Sequence, residues 1–142
     1  MALTDRRRVY LDTSAYVHLL LDEEGAVDVR EAIGTAEVLS SVLLLLEARR
    51  TLVRLARDRT MTHEHYKIAM ERTTGDSERF VLRDLTIELC DAHPLPAVAT
   101  PRSLDLVHLR TARWFHRVEP LDRFVTKDDS QRDAARELGL PV

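Results

Sequence analysis

Short apolar runs that each end in a hydroxyl or acidic residue alternate with helix-length segments along the whole chain, and this alternation narrows the possible folds most. Val9-Tyr10-Leu11 runs into Asp12-Thr13-Ser14, and Phe124-Val125-Thr126 runs into Lys127-Asp128. Arg8 to Leu11, Glu37 to Ser40, Phe80 to Leu85 and Phe124 to Thr126 read as short strands, with Leu140 to Val142 as a final edge strand. Between them lie predicted helices at Ala15 to Leu21, Asp28 to Ile33, Ser41 to about Asp58 and His63 to Arg72. A further helix ends near His93, before Pro94 and Pro96, and others cover Ser103 to about His116 and Asp129 to Leu138. Ser41, Thr62 and Ser103 are the expected caps, and Thr74-Gly75-Asp76 is the expected turn after the fourth helix. Strands separated by helices favour parallel βαβ units. The expected architecture is therefore α/β: a three-layer α/β/α domain with a central, mainly parallel sheet.

At 142 residues, with 44% hydrophobic and 32% charged residues, the chain suits one domain over 1–142 with a real core. Cys90 is the sole cysteine, which excludes an internal disulfide and a Cys-rich zinc site and fits a reducing, cytoplasmic setting. The apolar stretch Val42 to Leu46 is far too short to span a membrane, and Arg6, Arg7 and Arg8 have no signal-peptide core behind them. A formal net charge of −3 means that binding a polyanion would need a local basic patch or bound cations.

Among 24 acidic residues, four have unusual settings. Asp12 and Asp128 stand at the tips of predicted strands, where parallel sheets bind ligands, although each is also placed to cap a helix and Asp129 competes with Asp128. Glu47 follows Leu43 to Leu46 within a helix, so one of its flanks is apolar; the ordinary alternative is an ion pair with Arg50. Asp105 falls in the first turn of a helix, where the helix dipole favours an ionised carboxylate. A cluster of such hard oxygen donors, without soft ligands, suits Mg2+ or Mn2+. Arg50, Arg54 and Arg57 continue the helical line from Glu47 as a basic stripe, and Arg102 and Lys127 flank two of the acids. These are candidate phosphate contacts or simply solvated charges. His63 and His65 do not share a helix face, which argues against zinc. His108, three residues after Asp105, is placed either to orient that acid or to pack as an ordinary histidine. Trp114 and Phe115 read as core or partner-contact residues.

In this order, Leu11-Asp12-Thr13-Ser14-Ala15, Leu46-Glu47-Ala48-Arg49-Arg50, Arg102 to Leu109 and Val125-Thr126-Lys127-Asp128 resemble the four signature segments of PIN-domain nucleases. Leu106 stands where that family usually has Ala, and Lys127 where an aromatic or apolar residue is frequent. Size and the tail Ala134 to Val142 are similar to VapC-type toxins of bacterial toxin–antitoxin pairs. The resemblance implies a Mg2+- or Mn2+-dependent endoribonuclease with Asp12, Glu47, Asp105 and Asp128 as catalytic and metal residues. Ser14 and Thr126 would support them, and for Thr13 and Ser14 a helix-capping role is equally readable. It also implies an RNA substrate, a homodimer and a cognate antitoxin. An inactive PIN-like module that binds RNA or protein is the alternative. A haloacid-dehalogenase-like phosphatase is a weaker rival, because it needs a second Asp two positions after the first, where this chain has Ser14.

Overall fold

The computed structural model describes residues 6–91, 97–98 and 102–142. Among the described residues four strands form one sheet: β1 (Arg8–Leu11), β2 (Glu37–Ser41), β3 (Val81–Arg83) and β4 (Arg123–Val125). Their order is β3-β2-β1-β4, and every pairing is parallel. Seven helices are seen among the described residues: α1 (Thr13–Leu21), α2 (Ala26–Ile33), α3 (Leu43–Arg57), α4 (His63–Arg79), α5 (Ile87–Asp91), α6 (Ser103–Val118) and α7 (Asp129–Glu137).

Side chains alternate across a strand, so each buried strand supplies two cores. Val9, Leu11, Val38 and Val125 pack on one face with Ala15, Leu19, Val29, Leu44 and Leu52 from α1 to α3. Tyr10, Leu39 and Phe124 pack on the other with Leu109, Ala112, Phe115 and Ala135 from α6 and α7. The expected α/β/α layering is observed. The order places the central pair β1 and β2 beside both helical layers, and Asp12 directly follows β1 where the chain turns into α1.

Local expectations differ from the structure at several points. The helix predicted to stop at Arg72 runs on through Thr74, Gly75 and Asp76 to Arg79. Tertiary contacts override the turn signal: the Asp76 carboxylate is buried and accepts a hydrogen bond from the Tyr16 hydroxyl at 2.8 Å, with Arg72 and Arg79 beside it. β3 is consequently shorter than predicted. Leu140 to Val142 is not a strand. Its tie to the sheet is one backbone bond, from Phe124 N to the Pro141 carbonyl at 2.6 Å, and proline has no N–H with which to continue a ladder. Ser41 ends β2 and Val42 holds the position before α3, although the Ser41 hydroxyl still accepts from Leu43 N at 3.2 Å. The extended backbone of Arg102 moves the start of α6 one residue earlier than expected, so Ser103 lies inside the first turn rather than capping it. Of the predicted caps, Thr62 acts as read, accepting from His65 N. The predicted end near His93 and the Pro94–Pro96 break lie outside the described residues.

Candidate active site

Asp12 ends the β1 run and is followed at once by α1, so its carboxylate emerges where the C-terminal strand edges meet helix starts. It occupies the position before α1 but makes no side-chain capping bond. Instead Oδ2 accepts from the Thr126 hydroxyl at 2.7 Å and the Ser14 hydroxyl at 2.9 Å. Ser14 also accepts from Lys127 N at 2.9 Å, which fastens the end of β4 to the start of α1. Thr13 and Ser14 therefore do not cap α1. At 3% exposure, Asp12 is a buried carboxylate that no Lys or Arg of the described residues pairs with, and such a charge requires compensation.

Glu47 reaches the same place from α3. The alternative, an ion pair with Arg50, is not formed among the described residues, and Arg50 is exposed. Glu47 Oε1 accepts from the Thr13 hydroxyl at 2.9 Å and lies 2.8 Å from His108 Nε2. His108 is a core histidine, as one of its two readings had it, and its hydrogen-bond partner across the site is Glu47. Its Nε2 also stands 4.0 Å from Asp12 Oδ1. Burial by itself would lower the His108 pKa. The hydrogen bond to Glu47 and the charges of Asp12, Glu47 and Asp105 outweigh that and raise it above its ordinary value of 6.5.

Asp105 sits in the first turn of α6 and Asp128 immediately before α7. Asp128 does cap, accepting from Gln131 N at 3.1 Å, and it also lines the cleft. Its neighbour Asp129 has a side chain 92% exposed and is paired with Arg132, away from the cleft. The fully buried Gln131 joins two acid-bearing segments: its backbone N holds Asp128, while its side-chain nitrogen donates to the Asp105 carbonyl at 2.9 Å.

Together, Asp12, Glu47, Asp105 and Asp128 line one cleft of about 330 Å3, with Thr13, Ser14, Thr51, Arg54 and Arg102 among its other walls. Of the proposed phosphate contacts, Arg54 and Arg102 are at this cleft. Arg50 and Arg57 are exposed elsewhere on α3. Lys127 lines the adjacent cleft with Arg123 and Arg132, its ammonium set against Gly25. Thr13 and His108 are the site residues that sequence reasoning undervalued. The spacing of His108 from Asp105 was the available signal, but it pointed to the wrong carboxylate.

An all-oxygen, anionic set of this kind matches the donor preference of Mg2+ or Mn2+. Among the described residues no three His, Cys, Asp or Glu side chains are already gathered tightly enough to enclose an ion. Protein donors already engage Asp12 through the Ser14 and Thr126 hydroxyls, Glu47 through His108 and Thr13, and Asp128 through Gln131 N.

A parallel α/β/α domain with four acids converging at its strand tips defines a class, and sequence comparison agrees with it. The chain belongs to the PIN domain family, whose profile matches residues 9–137. It is similar to Ribonuclease VapC35 of Mycobacterium tuberculosis, in strains CDC 1551 / Oshkosh and ATCC 25618 / H37Rv. Identity to each is 29% over 137 residues, covering 94% of both chains.

Proposed function

We propose that this protein is a Mg2+- or Mn2+-dependent endoribonuclease and the toxin of a toxin–antitoxin pair. The convergence of four carboxylates, supplied by separate parts of the chain, on one cleft is the observation that carries this reading. Its likeness over 94% of both chains to a protein named as a VapC ribonuclease supports the substrate.

Asp12, Glu47, Asp105 and Asp128 would hold the cation, and the Ser14 and Thr126 hydroxyls keep the Asp12 carboxylate oriented. When bound, such a cation lowers the pKa of an attacking water and neutralises charge on the scissile phosphate. Without it, the acids repel a polyanion. Arg54 and Arg102, exposed at the cleft and unpaired with its acids, serve as contacts for flanking phosphates. Arg50 and Lys127 lie farther along the surface and would meet RNA only beyond the scissile bond. Hydrolysis gives a 5′-phosphate and a 3′-hydroxyl with no covalent enzyme intermediate.

The chain acts as one domain in the cytoplasm, as a homodimer held inactive by a cognate antitoxin covering the acidic cleft. No helix among the described residues is long and apolar enough to cross a membrane. Incubating purified protein with total RNA, with and without Mg2+ or Mn2+, alongside Asp12→Asn, tests the activity. Discrete fragments are expected only with metal and only from the wild-type chain; equal cutting by Asp12→Asn would refute it. The inactive-module alternative predicts RNA retention without fragments under every condition.

A further inference from the structure

Tyr10 lies two residues before Asp12 on β1 and is completely buried. Its ring stacks on Phe124 at 5.3 Å with an interplanar angle of 2°, and meets the His108 ring edge-on at 5.8 Å. Its hydroxyl is 2.7 Å from His108 Nδ1. The other ring nitrogen, Nε2, is 2.8 Å from Glu47 Oε1 and 2.9 Å from the Thr13 hydroxyl. β1, α6, α3 and α1 are thus joined through one imidazole.

The direction of these bonds follows from what each atom can do. A carboxylate only accepts, and the Thr13 hydroxyl already donates to Glu47 Oε1, so the proton on His108 is on Nε2 and is shared by both. In a neutral ring the Tyr10 hydroxyl donates to Nδ1; in a charged ring Nδ1 donates to Tyr10. Either way Nε2–H is directed at Glu47. A histidine only 1% exposed must have both nitrogens satisfied, and here both bonds orient the ring rather than merely solvating it.

Glu47 has reason to be held. Its side chain is 20% exposed, on a helix face at the mouth of the cleft, and an untethered glutamate would sample several rotamers. Two donors on Oε1 lock one of them. Oε2 receives no hydrogen bond from the described residues, which leaves it as the atom available to a cation.

We propose that Tyr10 and His108 are positioning residues: through His108 Nε2, the pair holds Glu47 with one carboxylate oxygen bound to protein and the other offered to the divalent cation. This rests on the metal-dependent reading above. Neither residue touches RNA or the reacting atoms. Their contribution is to metal affinity, where hydrogen-bond partners of ligands typically act by about 10- to 100-fold.

The test is calorimetric titration of MnCl2 into the RNA-free protein, for the wild type, Tyr10→Phe, His108→Gln and His108→Leu. Circular dichroism and thermal unfolding report the fold of each. His108→Leu is expected to weaken Mn2+ binding about 10- to 100-fold. His108→Gln, which keeps an N–H near the Nε2 position, is expected to recover part of that loss. Tyr10→Phe removes one oxygen and preserves the stacked ring, so it stays informative if His108→Leu fails to fold; its affinity should fall severalfold. Folded variants that bind Mn2+ as the wild type does, even with lowered melting temperatures, would reduce the network to a structural role and overturn the proposal. A wild-type chain that takes up no Mn2+ would overturn the metal-dependent reading itself, and this proposal with it.

Discussion

Asp128 and Asp129 are adjacent and chemically identical, yet their surroundings separate them. Asp128 caps α7 and lines the cleft, while Asp129 is in solvent with Arg132. Because Asn caps helices about as well as Asp, Asp128→Asn should leave the melting temperature nearly unchanged while lowering RNA cleavage by more than about 100-fold, beyond the range of supporting residues. Asp129→Asn should leave cleavage within about twofold of wild type, since exposed ion pairs contribute little. Comparing the two cleavage rates decides which member of the doublet belongs to the site. Thr126 offers a different check. Thr126→Val keeps the shape but removes the hydroxyl that donates to Asp12 and accepts from Asp128 N. Stability should fall by about 1–3 kcal/mol, because buried polar partners lose their bonds, and denaturant titration measures it.

The helices show where local pattern and tertiary packing compete. Gly75 resembles a turn residue, but α4 continues through it, and a Cβ built there meets nothing within 4 Å. The glycine therefore only adds freedom to the unfolded chain. Gly75→Ala should raise stability by about 0.5–1 kcal/mol without affecting cleavage, as an increased urea midpoint at constant slope. A loss of stability instead would mean that α4 does not run unbroken here. The edges of the sheet follow the same logic: the three-residue strands β3 and β4 are specified by their parallel neighbours, and Pro141 limits the tail to one bond beside β4.

For the molecule as a whole, the packing of α1 against α4 relies on a buried phenol. Burial pushes the Tyr16 pKa well above its ordinary value of 10.0, and the hydrogen bond and charge of Asp76 push it the same way. The folded state thus favours the neutral phenol. That stabilisation is complete below pH 10.0, where the unfolded phenol is also neutral, and is lost as pH rises through the higher folded value. Unfolding free energy should therefore decline above about pH 10, and Tyr16→Phe should flatten the decline; an unchanged slope between pH 9 and 11 would count against this account. Tyr10, wholly buried and shifted upward chiefly by burial, adds a contribution of the same sign.

The sheet and its helical layers were legible because their cause is local. Runs such as Val9-Tyr10-Leu11 must be buried on both faces, and helical periodicity between them requires parallel crossovers. The acids at strand tips and helix starts were legible for the same reason, since a short run and the helix after it define the position between them. What sequence alone determined, then, was the α/β layering and the order in which Asp12, Glu47, Asp105 and Asp128 appear. Tertiary structure decided the rest: that α4 passes through Gly75, that Thr13 and Ser14 turn inward instead of capping, and that His108 serves Glu47 rather than Asp105. The Thr13–Glu47 and His108–Glu47 bonds join residues 34 and 61 positions apart. No local periodicity encodes such pairings, because they depend on how α1 sits beside α3 within one layer and how α6 reaches α3 from the other face of the sheet.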